Sequence, residues 1–286
     1  MKSMNKWIIG ARPRTLPAAI APVLVATAYA GSNWEPIRAL SALLVSLALQ
    51  IGVNYANDYS DGIRGTDDSR VGPVRLTASG LASPKSVRTA ALISFLFAAL
   101  IGLTLAAATS WWVILVGALA INAAWGYTGG KKPYGYLGFG EFSVFIFFGL
   151  VATIGSYYVQ TQQINWEIVL LSIPIGSLSC AILVINNLRD RPLDEIAGKR
   201  TLAVKLGDQK TRFFYGFLLL ITQLSVLLAI SINRQIILVI ICLPLVYKVL
   251  MQVIRGAKGE ELIDVLGKTA RVQLITAVLI SLALLI

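Results

Sequence analysis

Histidine is absent from the 286 residues, which removes imidazole as a general base, nucleophile or metal ligand. Charge is scarce too: 14% of the residues are Asp, Glu, Lys or Arg, against roughly 25% in a soluble globular domain. The two cysteines, Cys180 and Cys242, each lie inside a long apolar run without CxxC spacing, so both read as small packing residues and not as redox or zinc groups. Chemistry is left to carboxylates, amides, Tyr, Lys, Arg or a bound ion. What abounds is apolar surface, with 56% hydrophobic residues and a mean hydropathy of +0.73, which places the chain in lipid.

Apolar stretches long enough to cross about 30 Å of hydrocarbon occur nine times, at 15–31, 38–57, 89–109, 111–127, 141–160, 167–187, 212–231, 235–253 and 271–286. The first has a basic flank and an Ala28-Tyr29-Ala30 that resembles a signal-peptidase site. Pro17 and Pro22 break its apolar run, and it reads as a span, not a cleaved leader. Of the 25 Lys and Arg residues, 23 fall in the connections on one face, at 1–14, 58–88, 127–140, 188–212 and 248–271. The other face holds Arg38 and Arg234, with Glu35 and Glu167. The whole net charge of +11 therefore lies on one side, which the positive-inside rule makes cytoplasmic. Anionic membrane lipid accounts for this basic balance without nucleic acid. The expected fold is an all-α integral membrane bundle of nine transmembrane helices in a single domain, 1–286, in the cell membrane. Its N-terminus is cytoplasmic, as is a cap formed by the loops after helices 2, 4, 6 and 8. Trp34, Trp111, Trp112 and Trp166 fall at outer span ends and read as interface anchors.

Two polar clusters interrupt this pattern on the cytoplasmic side. Asn54, Asn57, Asp58 and Asp61 are spaced three and four apart, so they share one face if the second helix continues through them; Gly62, Arg64, Gly65, Asp67 and Asp68 follow. Four spans later Asn187, Asp190 and Asp194 repeat that spacing, among Asn186, Arg189, Glu195, Lys199, Arg200 and Thr201. One such cluster is explained by a solvated helix end with capping residues. Two on one face form a weak internal repeat in which each half of the chain brings an Asn/Asp face to the same surface. Opposed carboxylates at a membrane surface repel unless cations sit between them. Oxygen-only ligands select a hard cation, and few carboxylates with open positions suit Mg²⁺ carrying a phosphorylated substrate. Arg64, Arg75, Lys131, Lys132, Arg189 and Lys199 lie close by in sequence as an anion clamp. Together the residues read as a diphosphate site on two or more Mg²⁺, whereas for any one base taken singly a lipid headgroup contact is the better explanation. A third element, Tyr127-Thr128-Gly129-Gly130-Lys131-Lys132-Pro133, is either a ligand-approaching loop or a plain Gly-rich turn.

Over essentially its whole length the chain resembles the UbiA-type intramembrane aromatic prenyltransferases, and within them the branch acting on 1,4-dihydroxy-2-naphthoate. The resemblance rests on Arg12-Pro13-Arg14-Thr15-Leu16-Pro17, Asn57-Asp58-Tyr59-Ser60-Asp61 with Gly65-Thr66-Asp67, Tyr127 with Lys131, and Asn186-Asn187-Leu188-Arg189-Asp190 through Asp194 to Gly198-Lys199-Arg200-Thr201-Leu202. Where the broad family pattern has a second Asp four residues after the first, this chain has Gly65, with Asp67 and Asp68 just beyond. The naphthoate branch is similar in this respect, and Asp67 is the less certain ligand.

The resemblance implies that Asn57, Asp58, Asp61, Asp67, Asn187, Asp190 and Asp194 hold Mg²⁺ on the diphosphate of a polyprenyl diphosphate. It implies that Lys131 and nearby arginines neutralise the leaving group, with Asn54 among the substrate-binding residues. Tyr127 stabilises an allylic cation that the naphthoate ring attacks with loss of CO₂ and a proton. Arg12 and Arg14 are candidates to hold the aromatic carboxylate, and membrane anchoring explains them equally. Within the family, 4-hydroxybenzoate or another aromatic acceptor is the alternative. A CDP-alcohol phosphotransferase is disfavoured because only Asp58-Tyr59-Ser60-Asp61-Gly62 begins like its signature. A cation-coupled transporter is disfavoured because the spans are nearly free of ionisable groups.

Overall fold

The computed structural model describes residues 5–65 and 72–286. Prolines open three helices, α2 (Pro17–Ala30), α3 (Pro36–Ile63) and α4 (Pro84–Ala108), at the position where a missing N–H is harmless and φ is already helical. Side-chain oxygens of Ser83, Asn165 and Thr201 accept first-turn N–H groups at the starts of α4, α8 (Trp166–Ile196) and α9 (Leu202–Ala229), satisfying donors that helices leave orphaned. The remaining helices are α1 (Lys6–Ala11), α5 (Trp112–Gly126), α6 (Gly140–Val144), α7 (Ala152–Thr161), α10 (Leu243–Ile254) and α11 (Glu260–Leu285).

Among the described residues, seven helical segments are long and apolar enough to cross a membrane: Pro36–Ile63, Pro84–Ala108, Gly140–Thr161, Trp166–Ile196, Leu202–Ala229, Arg234–Ile254 and Glu260–Leu285. The other two expected spans take different forms. The first is a pair, Lys6–Thr15 and Pro17–Asn33, bent by 52°, where Arg12 adopts a left-handed backbone (φ 52°) and Pro17 starts a new helix. The other, α5, is apolar but 15 residues long, short of the roughly 20 that a perpendicular crossing needs. Segment Gly140–Thr161 passes through a π-helical stretch, Phe145–Val151, and Arg234–Ile254 starts as 3₁₀ helix over Arg234–Cys242. Two boundaries bear on chemistry. α3 continues through Asp61 to Ile63, so its Asn/Asp residues do share a helix, and α8 runs on past Pro192 to Ile196, carrying Asp190 and Asp194 rigidly.

The buried centre of the bundle is α8, which packs on α9, α11 and the π stretch. Leu178, Ile185, Tyr215 and Val249 meet in one core cluster, and Ile175, Ile236 and Ile280 in another. Gly149 and Gly176 let α8 approach the π stretch closely: a Cβ at Gly149 would lie 2.5 Å from the Gly176 Cα. Cys180 and Cys242 are free and buried, as packing residues should be. By contrast α5, resting on α3 and α4, buries none of its residues. An elongated cavity consequently remains between α3, α4, α5 and the segment Gly140–Thr161.

Candidate active site

That cavity has a volume of about 520 Å³ and changes character along its length. One end is lined by Asn54, Asn57 and Asp61 from α3, Asn186, Asn187, Asp190 and Asp194 from α8, and Lys199 beyond it. The rest is mainly apolar, walled largely by Ala, Val, Leu, Gly and Phe residues with a few hydroxyl and amide side chains such as Ser46, Gln50 and Ser156 between them. The two sequence clusters, more than a hundred residues apart, thus meet at one end of a single space.

The carboxylates there are already compensated. Lys199 Nζ lies 3.2 Å from Asp61 Oδ1 and 3.7 Å from Asp194 Oδ1, bridging the halves. Arg189 grips Asp190 with two bonds, Nε to Oδ1 at 2.7 Å and an η nitrogen to Oδ2 at 2.8 Å, and also donates to Asn186 Oδ1. Such planar bidentate pairing is the geometry arginine favours. Cations are therefore present between the opposed acids as side chains, and repulsion alone does not demand a metal. Among the described residues no group of three acidic or Cys side chains is disposed to hold a metal ion.

Several candidate residues have other duties. Asp58 is fully buried, and its two oxygens accept the backbone N–H groups of Leu76 (2.8 Å) and Thr77 (2.9 Å). It anchors the loop before α4 and does not line the cavity. Arg64 donates to the carbonyls of Thr128 and Gly130 and lies 5.4 Å from the Tyr136 ring, so it holds the loop after α5. Lys131, Lys132 and Arg14 are exposed and outside the cavity lining. Arg12 and Arg75 do line it, and Asn54 donates to the Ala11 carbonyl (2.9 Å) and Thr15 Oγ1 (3.1 Å), tying α3 to the bend beyond α1. Tyr127 lines the cavity with its ring edge-on to Tyr134 at 5.7 Å. Burial pushes the Tyr134 hydroxyl above its ordinary value; it donates to the Ala123 carbonyl at 2.7 Å. Asn187 donates from Nδ2 to Glu141 Oε1 at 2.9 Å, and Asn57 Oδ1 accepts from Thr128 Oγ1 at 2.8 Å. Asp67, with Asp68, lies outside the described residues.

Tyr136 went unnoticed in the sequence, yet its hydroxyl donates to Asp61 Oδ1 and its ring takes Lys199 Nζ at 4.7 Å. It reaches the site because the turn Tyr134–Leu137 pairs with the loop after α8, where Arg200 N donates to Tyr136 O at 2.8 Å. Glu141 was also missed. Neither has a motif spacing that would mark it, since both act through a partner distant in sequence.

Residues 19–262 match the model of the UbiA prenyltransferase family. The chain belongs to that family. A 1,4-dihydroxy-2-naphthoate octaprenyltransferase of Mycobacterium tuberculosis is 49% identical over 286 residues, covering 99% of this chain and 98% of the relative. Its counterpart in Haemophilus influenzae is 36% identical, covering 100% and 97%. Among solved structures, a UbiA homologue from Archaeoglobus fulgidus bound to GPP and Mg²⁺ superposes with a TM-score of 0.68 at 13% identity, covering 96% of this chain and 99% of that one. The family fold is thus shared at sequence distances where side-chain roles cannot be transferred.

Proposed function

We propose that the protein transfers a polyprenyl group from polyprenyl diphosphate to 1,4-dihydroxy-2-naphthoate, releasing diphosphate and CO₂ and giving the prenylated naphthoquinol, the reduced form of demethylmenaquinone. The observation that carries this reading is the shape of the cavity: a polar end with acids and cations from both halves of the chain opens directly into a long apolar channel. A diphosphate with a hydrocarbon tail is the ligand whose polarity changes in the same way. The names of the relatives, 1,4-dihydroxy-2-naphthoate octaprenyltransferases, favour the naphthoate over 4-hydroxybenzoate as acceptor. The whole chain is read as one domain of nine spans in the cell membrane, counting the bent pair and α5. The charged face, with the N-terminus and the polar end of the cavity, is cytoplasmic.

Mg²⁺ fits the polar end, where the groups able to ligate a cation are carboxylate, amide and hydroxyl oxygens, with no His or Cys among them. Asp61 on α3 and the pair Asp190 and Asp194 on α8, all cavity-lining with Asn57 and Asn187, would hold two or more separate ions, since no three acids converge among the described residues; Asp67 completes the proposed set from outside those residues. Asp58 is left out because both its oxygens are committed to backbone N–H groups. When bound, Mg²⁺ supplies positive charge that makes diphosphate a better leaving group. Lys199, within reach of both halves, and buried Arg75 add fixed positive charge where the leaving oxygen becomes anionic. The allylic C–O bond breaks with its electron pair going to diphosphate. The π faces of Tyr127 and Tyr134 stabilise the allylic charge left behind, and the electron-rich naphthoate ring supplies the new C–C pair before CO₂ leaves. Arg12, beside Asn54 in the cavity wall, is placed to take the aromatic carboxylate. Apolar walls keep water from the cation.

The test uses purified protein in lipid nanodiscs with octaprenyl diphosphate and 1,4-dihydroxy-2-naphthoate, with and without Mg²⁺, following product by mass. Mg²⁺-dependent demethylmenaquinol, detected as such or as the quinone formed from it by air oxidation, is the expected result. Turnover with 4-hydroxybenzoate in its place would move the acceptor, and no turnover with any aromatic would refute the reading.

A further inference from the structure

We propose that Gly102, Gly117 and Gly155 are specificity-determining residues that leave room for a long prenyl tail at the far end of the channel. The proposal rests on the prenyl-transfer reading above. Glycine inside a helix costs about 1 kcal/mol relative to alanine, so its presence calls for a reason. At Gly52 and Gly149 the reason is contact: an added Cβ would lie 2.5 Å from the Phe95 ring and 2.5 Å from the Gly176 backbone respectively. At Gly102, Gly117 and Gly155 it would meet nothing within 4 Å, and none of the three has a positive φ. Packing and backbone conformation therefore explain none of them. What they share is the cavity, which all three line from three different elements.

They also share a depth. Gly102 is six residues before the end of α4, Gly117 five after the start of α5, and Gly155 six before the end of α7. At 1.5 Å per residue each sits about 8–9 Å from the end of its helix. Those ends are tied at one level: Arg38 donates to the carbonyls of Ala108 (3.2 Å) and Val159 (3.4 Å), and Trp112 Nε1 donates to Tyr158 Oη at 3.2 Å with ring centroids 4.8 Å apart. Trp112 and Tyr158 both line the cavity, beyond the glycines along their helices. Along α3, the twelve residues from Asn54 to cavity-lining Ala42, six residues into that helix, correspond to about 18 Å. A short prenyl tail ends within that distance. A long one runs on past that distance, where the three glycines leave the walls bare.

The experiment gives the protein geranyl diphosphate and octaprenyl diphosphate together, with 1,4-dihydroxy-2-naphthoate and Mg²⁺, and measures the ratio of the two products by mass. This ratio does not depend on how much of a variant is folded. Gly117→Leu and Gly155→Leu are each expected to lower the octaprenyl-to-geranyl ratio at least tenfold, with Gly117→Ala and Gly155→Ala falling between them and the unmodified protein. Ratios unchanged in both Leu variants would overturn the assignment while leaving the reaction in place. Absence of both products from the unmodified protein would overturn the prenyl-transfer reading, and this inference with it.

Discussion

Replacing Asp58 by Asn separates a structural carboxylate from a metal-binding one. Asp58 is fully buried, and its two oxygens accept from Leu76 N at 2.8 Å and Thr77 N at 2.9 Å. A hydrogen bond to a charged acceptor contributes about 1.5–3 kcal/mol, and a buried donor left unmatched costs about 1–3 kcal/mol. Asn keeps one acceptor but turns an NH₂ toward the other N–H, so one charge-assisted bond becomes neutral and the second is lost. The expected destabilisation is about 2–4 kcal/mol, read as a fall of several degrees in thermal unfolding in detergent. Because these bonds fix the loop that carries Arg75 into the cavity, turnover falls as well. The Mg²⁺ concentration for half-maximal activity of the folded enzyme is expected to stay within about twofold of the unmodified value. Asp61→Asn and Asp190→Asn are expected to raise that concentration or abolish turnover, with a lower unfolding temperature as well because Lys199 and Arg189 lose their buried charged partners. An Asp58→Asn protein of unchanged stability with a tenfold higher Mg²⁺ requirement would refute this division.

Three further outcomes are expected. Tyr136→Phe removes the hydroxyl donated to Asp61 but keeps the ring beside Lys199; kcat/KM should fall about tenfold, the equivalent of one hydrogen bond of roughly 1.4 kcal/mol, and Tyr136→Ala should lose more. Lys199→Ala leaves Asp61 and Asp194 facing each other without their bridging cation, so its unfolding temperature should drop, and added Mg²⁺ should raise it further than in the unmodified protein; equal Mg²⁺ shifts in the two would argue against a metal between these acids. Gly149→Ala forces a methyl onto the Gly176 backbone and should destabilise the protein by about 1–3 kcal/mol, seen as a lower unfolding temperature.

The sequence alone determined the class of molecule and the two faces that meet in it. Long apolar runs have few stable states besides a membrane helix, and period-three-and-four spacing of Asn and Asp on α3 and α8 survives folding because a helix preserves it. The resemblance to the UbiA family was legible for the same reason: Asn57 through Asp61 and Asn186 through Asp194 are each contiguous. Tertiary structure decided which of those residues are free to act. Asp58 and Asp61 are three residues apart and chemically identical, yet one is consumed by two backbone N–H groups of a loop and the other faces Tyr136 and Lys199. Lys131, Lys132 and Lys199 look equivalent in the chain, and only Lys199 among them is turned between carboxylates. The breaks at Arg12 and Phe145–Val151, and the bare glycines of the channel, were also beyond reach. Burial, partner and open space belong to the packing of distant segments, and local spacing carries no record of them.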